Sequence, residues 1–322
     1  MVDAGPDEVS MLFMMMYINS SGCDLAMIGD MKGKGSLTHK IDRGSQTLPE
    51  TLHARLPAGS VKFNSPVVSI DHSSATINVL TQDGQVYSAP KVIMAVPPVL
   101  ASEITYTPSL SPDKMYLMRN LKPAGSTQAF KFVLTYPRPY WRENGLSGNG
   151  FVPETVDKAT GEWLPGMLIF DATTPDNGWA VFGFTAFSEQ APAPEVRKQR
   201  YAKQLAVAYN STQMHQFIDF ADQRWHGEVW SRGCVATARP GVMTPDFPKL
   251  IRAPTGNIFW AGTETATEWM GKMNGAVQAG QRAADQVLNG HCVRTTAAQH
   301  QPTCVLSTSM TLIVAVITSG TG

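Results

Sequence analysis

The 322-residue chain carries no net charge: 26 Lys and Arg balance 26 Asp and Glu. With no basic stripe either, there is no electrostatic case for nucleic-acid binding. Cysteine is scarce. Cys23, Cys234, Cys292 and Cys304 lie far apart and form no C-x-x-C pair. That spacing argues against a zinc site or a disulfide scaffold and makes a reducing, intracellular setting the default. Charge is also thin, at 16% against 43% hydrophobic residues, so the chain is a folded, rather apolar protein and not a disordered one. The opening seven residues are neither a signal peptide nor an Arg-rich transit peptide. No catalytic triad and no metal-ligand cluster stands out.

Long apolar runs are missing too. The run over residues 11–17 (MLFMMMY) is too short to span a bilayer and reads as a buried helix segment. The tail is the marginal case. Residues 295–322 contain no Asp, Glu, Lys or Arg, and residues 310–318 (MTLIVAVIT) are strongly apolar. Against the roughly 20 residues a spanning helix needs, two readings stay open: a C-terminal membrane anchor, or a tail without fold.

Residues 60–95 read as a β-rich unit. VKFNSPVVSID, ATINVL and QVYS alternate as strands, and Asp83-Gly84 is a hairpin signal. KVIMAV (residues 91–96) is a strand buried on both faces, stopped by Pro97-Pro98. Residues 127–136 and 180–187 predict strands of a second sheet, and residues 194–216 a polar-faced helix. Near the end, NIFWA (residues 257–261) is a short strand entering GTETA, followed by the helix GAVQAGQRAADQVL. Strand, glycine turn and helix can aim backbone N–H groups and a helix N-terminus at an anion. An ordinary strand-to-helix connection with small residues for packing is the alternative.

The segment AGTETATEWMGKMNGAVQAGQRAA (residues 261–284) closely resembles the C-terminal flavin-binding signature of the flavin-containing amine oxidases, monoamine oxidases in particular. RWHGEVWSRGC (224–234), KIDRGSQTLPETL (40–52), VIMAVPP (92–98) and AFKFVLTYPRPYW (129–141) resemble further family segments, in the family's order, across roughly residues 8 to 288. The resemblance implies an α/β (α+β mixed) fold: a truncated FAD/NAD(P)-binding domain plus a discontinuous substrate domain on a mixed β-sheet. The division it implies is residues 41–119 and 228–290 for FAD, residues 1–40 and 120–227 for substrate, and residues 291–322 as the tail. Family members begin with a β–α–β unit carrying G-x-G-x-x-G for the FAD pyrophosphate; here KGKGS (32–36) is incomplete.

The resemblance also implies an activity. An amine is oxidised at the carbon beside nitrogen by hydride transfer to FAD, and O2 is reduced to H2O2. By the same resemblance Cys234 bonds covalently to the flavin, Lys131 holds a water near the flavin N5, and Trp225 lies beside the ring. Gly262, Thr263 and Glu264 contact the ribityl and phosphate part, Met273 the pyrimidine end, and Val67 the adenine. Each has an ordinary alternative: a buried free thiol for Cys234, an edge lysine for Lys131, core packing for Trp225 and Val67. The family flanks the amine with two tyrosines, where this chain has Val235 and Lys272, and Arg43 replaces one glycine of a usual pair. Lys272 could instead bind a carboxylate, so a related oxidase of an amino acid or polyamine, or an inactive or truncated member, stays open. The resemblance also implies a homodimer and the mitochondrial outer membrane as the site of the tail, with the cytoplasm as the default otherwise.

Overall fold

A computed structural model describes residues 7–29, 33, 35, 38–123, 129–175, 178–187, 190–233, 236–244, 246–289 and 311–315. In chain order the main helices are α1 (Met11–Ser20), α2 (Thr47–Ala54), α3 (Pro112–Asn120), α4 (Pro194–Ala208), α5 (Phe247–Arg252) and α6 (Met273–Asn289). The main strands are β1 (Val67–Asp71), β2 (Ile77–Thr81), β3 (Val86–Ala89), β4 (Lys91–Ala95), β5 (Thr105–Thr107), β6 (Ala129–Tyr136), β7 (Gly150–Val152), β8 (Met167–Asp171), β9 (Trp179–Ala186), β10 (Asp219–Arg224), β11 (Ile258–Trp260) and β12 (Thr311–Ala315). They form two compact units. The first comprises Met1–Pro6, His39–Leu56 and Pro123–Cys234; the second comprises Asp7–Thr38, Pro57–Lys122 and Val235–Gly322.

The first unit is built on an antiparallel sheet in the order β10-β6-β9-β8-β7. Along β6 burial alternates strictly, as period-2 side chains require. Phe130, Phe132, Leu134 and Tyr136 face the core, where Phe132 stacks on Tyr201 of α4 at 4.4 Å between ring centroids. Arg197 of α4 clamps Asp222 of β10 with two bonds of 2.6 and 2.7 Å and lies over the Phe130 ring at 4.4 Å. The predicted helix over 194–216 is shorter than its pattern. It stops at Ala208, and Asn210 turns the chain with φ +48° before a 3-10 turn at Thr212–His215. At the far end of β8, Asp171 accepts from Trp141 Nε1 (2.9 Å), Arg142 Nε (2.7 Å) and the Thr173 amide (2.8 Å). Burial works to raise the Asp171 carboxyl, but the hydrogen bonds from Arg142, Trp141 and Thr173 outweigh it and hold it below the usual range. Lys40 joins this corner, donating to Thr173 O at 3.3 Å.

The second unit holds two sheets. β1, β2 and β3 form an antiparallel meander, with β5 added parallel to β1. Its turn is the predicted one: Gly84 takes φ +84°, and the Asp83 carboxylate accepts from Thr81 Oγ1 at 2.6 Å. The other sheet is parallel, in the order β11-β4-β12. β4 is the buried strand expected of KVIMAV, with Val92, Ile93 and Met94 all inside. One sheet face packs with Ile70, Ile77 and Tyr106; the other, through Phe259 and Ile93, meets Ala283 and Val287 of α6.

One expectation needs correction here. α1 is capped by Ser10, whose Oγ accepts from the Phe13 amide at 3.4 Å, but only Phe13 and Tyr17 are buried. Met11 and Met15 are exposed, so the Met-rich run is one-sided and not a wholly buried segment. In the tail, residues 311–315 pair as a strand with β4; the remainder of 291–322 lies outside the described residues. No helix among the described residues is long and apolar enough to cross a membrane.

Candidate functional site

Each unit carries one group of the residues singled out from sequence. In the second unit β11 delivers the chain into Gly262, which takes φ +92°. That left-handed conformation favours glycine. A Cβ there would meet only the end of the Glu264 side chain, at 3.3 Å, so the backbone of the turn stays open to close approach. Thr263–Thr265 form a single 3-10 turn. Thr263 Oγ1 donates to Lys272 O at 2.9 Å, which brings Gly262, Thr263, Glu264 and Lys272 together, with Met273 next in the chain. Lys272 is half-buried and Met273 exposed. The protein around Glu264 pushes its carboxyl above the usual range.

The helix does not follow the glycine turn directly. α6 starts at Met273, and residues 266–272 intervene, including Trp269 at φ +52° and Gly271 at φ +75°. Gly275, one turn into α6, lies so close to Trp269 O that any Cβ would clash. This contact seats the helix against the loop. Val67, half-buried on β1, packs against the core that holds Trp260, and no hydrogen bond ties it to the turn among the described residues.

Behind the turn lie two residues that the sequence pattern did not single out. Arg252, at the end of α5, donates Nε to Thr265 O and Nη2 to Ala266 O, both at 2.8 Å. Arg282 of α6 donates Nη2 to Trp260 O (2.8 Å) and to Thr265 Oγ1 (2.7 Å). Thr265 Oγ1 in turn donates to Gly262 O at 2.8 Å. Burial lowers the affinity of Arg252 for its proton; burial, and then the neighbouring Arg252, push Arg282 down to about 10. The available signal was a large cation set among alanines on a helix face that packs closely: Ala279 and Ala283 flank Arg282 and are fully buried.

In the first unit Lys131 sits on β6 on the face opposite the α4 core. Its Nζ lies 5.1 Å from the Phe182 ring centroid and 5.8 Å from that of Phe184, and Phe182 stacks on Phe170 at 4.9 Å. Such cation–π contacts satisfy a lysine on an apolar face without a carboxylate. β10 pairs Gln223 with Lys131, and two residues on, Trp225 is half-buried at the start of a 3-10 turn. The structure therefore places Lys131 on β6 and Trp225 in the 3-10 turn that follows the neighbouring strand β10. Gly233, at φ +132°, approaches Pro123 so closely that a Cβ would lie 2.5 Å from its Cγ. Cys234 and Val235, the next two residues, lie outside the described residues. No group of His, Cys, Asp and Glu that could hold a metal ion occurs among the described residues.

A parallel sheet whose strand runs into an open glycine turn and is packed against a helix marks this chain as an α/β protein. Residues 9–288 match the family model described as flavin containing amine oxidoreductase. The chain is 33% identical over 288 residues to flavin-containing amine oxidase B of Cavia porcellus, covering 88% of this chain and 53% of that protein. To flavin-containing amine oxidase A of Bos taurus it is 32% identical over 294 residues, covering 89% and 53%. Among solved structures, cyclohexylamine oxidase from Brevibacterium oxydans IH-35A aligns at TM-score 0.72 and 24% identity, over 89% of this chain and 61% of that one. The chain belongs to the flavin containing amine oxidoreductase family. It spans about half the length of the curated relatives it matches. FAD is the cofactor that this membership implies.

Proposed function

We propose that this chain carries the flavin-facing turn and substrate-side sheet of an FAD-dependent amine oxidase. The observation that carries the reading is the Gly262–Glu264 turn: a left-handed glycine with open backbone, on a parallel strand, held from behind by two cations. These features fit an anionic cofactor, which needs close backbone approach and positive potential. When bound, FAD supplies the two-electron acceptor chemistry that no side chain here could provide. The amine loses a hydride equivalent and a proton to become an imine. Water hydrolyses the imine to a carbonyl compound and an amine or ammonia, and O2 takes the two electrons to give H2O2.

The chain's own residues bind and orient. Thr263 and Glu264 hold the ribityl and phosphate part, Met273 the pyrimidine end, and Val67 the adenine side. Lys131 holds a water for proton movement, on a strand where its ammonium already leans on Phe182 and Phe184. Trp225 would flank the ring, and Cys234 would be the residue that carries it covalently. In this reading residues 41–119 and 228–290 serve the cofactor and residues 120–227 the substrate. Lys272, fixed through its carbonyl by Thr263, favours a substrate bearing a carboxylate over a simple amine. Peroxide formation with an amino acid but not with a simple amine would support that preference. The tail supplies membrane attachment, read by fractionation, and the protein pairs as a homodimer, read by sedimentation.

The test is the visible spectrum before and after acid precipitation, for this chain and for the chain preceded by a dinucleotide-binding β–α–β unit. A yellow pellet that is lost in Cys234→Ala supports a covalent flavoprotein. Colourless protein in both forms sinks the oxidase reading.

A further inference from the structure

Two guanidinium groups lie side by side behind the Gly262 turn, and neither pairs with a carboxylate among the described residues. Arg252 spends three donors on the carbonyls of Thr265, Ala266 and Pro248. Arg282 spends one nitrogen on Trp260 O and Thr265 Oγ1, while its Nε and Nη1 are sealed from solvent without a hydrogen-bond partner. Glu264, on the same turn, does not compensate them: burial favours its uncharged form.

This is a costly arrangement. Both side chains are half-buried, so each charge is partly desolvated without a counter-charge among the described residues, and two like charges close together repel each other as well. Holding the turn does not require the second charge. A neutral side chain at position 282 would remove the charge together with the two orphaned donors. The described residues leave this positive charge without a counter-charge.

We infer that Arg252 and Arg282 are positioning residues that fix the Gly262–Ala266 turn and supply the positive field neutralised by the diphosphate of a bound dinucleotide. They act through the turn and through space, not as direct contacts, since the free nitrogens of Arg282 are covered by protein. The inference rests on the reading of the turn as a cofactor site and adds two residues to it.

The test is the thermal midpoint of the full chain, measured alone, with FAD, and with inorganic pyrophosphate, for wild type, Arg282→Gln and Arg282→Lys. A ligand in large excess over its dissociation constant should raise the wild-type midpoint by roughly 3 °C or more. Arg282→Gln should be at least as stable as wild type without ligand and should lose most of that rise, about fivefold. Arg282→Lys, which keeps the charge, should retain most of it. Equal rises in wild type and Arg282→Gln would overturn the inference while leaving the cofactor reading intact. A wild type moved by neither ligand would overturn it too, as would an Arg282→Gln that no longer folds, since the charge would then serve the fold. A rise with pyrophosphate but none with FAD would support the charge role while removing the cofactor reading.

Discussion

Arg43 occupies a backbone position meant for glycine: its φ is +59°, next to Gly44 at +84°. A side chain in the left-handed region costs about 1–2 kcal/mol, part of which a glycine gives back through its freer unfolded state. Arg43→Gly should therefore stabilise the chain by about 0.5–1 kcal/mol, seen as a higher urea midpoint at unchanged slope. This position was legible, because the KIDRGSQTLPETL segment shows an arginine where the resembling family has a glycine. Lys131 was legible for a similar reason: a lysine inside an alternating apolar strand must find a partner or a role. Arg252 and Arg282 were not. Their meaning lies in the lack of a counter-charge around them among the described residues, which appears only once residues distant in sequence are brought together.

Helix α3 buries a residue type that helices normally expose. Lys114 is 3% exposed, donates Nζ to Ala253 O at 2.6 Å and lies 4.2 Å over the Trp260 ring. Burial pushes its ammonium down to about 7. Between that value and the ordinary lysine range of the unfolded chain, the unfolded state holds a proton that the folded state does not. Stability should then rise as pH climbs from 7 toward 10, and the full burial penalty should remain below 7. Lys114→Met should stabilise the chain at pH 7 by on the order of a few kcal/mol, read as a higher urea midpoint at unchanged slope, and flatten that pH dependence. Strands were the readable elements, since β1, β2, β3, β4 and β6 each follow an alternating or continuous apolar pattern. Helix ends were less so. The polar-faced pattern runs on past Ala208, where the chain turns at Asn210, although α6 begins within two residues of the helix expected from GAVQAGQRAADQVL. Turn chemistry set by tertiary contacts, such as Gly275 against Trp269 O, has no periodic signature.

For the molecule as a whole the charge balance has a direct consequence. With 26 positive and 26 negative side chains and an isoelectric point near 7.0, self-repulsion vanishes at neutral pH while Met11, Phe151 and Ile218 remain exposed. Solubility should pass through a minimum near pH 7 and improve about a unit and a half to either side, which light scattering against pH would show. The two-part α/β architecture was readable from the order of motifs, but the packing of α1 was not. The sequence groups residues 1–40 with the substrate side, whereas Ser10 N donates to Ala238 O and Trp269 N to Ser20 O within the second unit.

The parallel ladder between β4 and β11 joins residues 92–94 to residues 258–260, while the meander β1–β2–β3 closes within residues 67–89. Contacts so different in sequence separation form on different timescales, because the entropy of closing a long loop is spent before any ladder bond repays it. During synthesis the meander can pair soon after it emerges, whereas the β4–β11 ladder forms only after residues 258–260 have emerged. In that interval the apolar KVIMAV strand lacks its native β11 neighbour, which makes the timing of folding, as well as the final contacts, bear on the yield of folded protein.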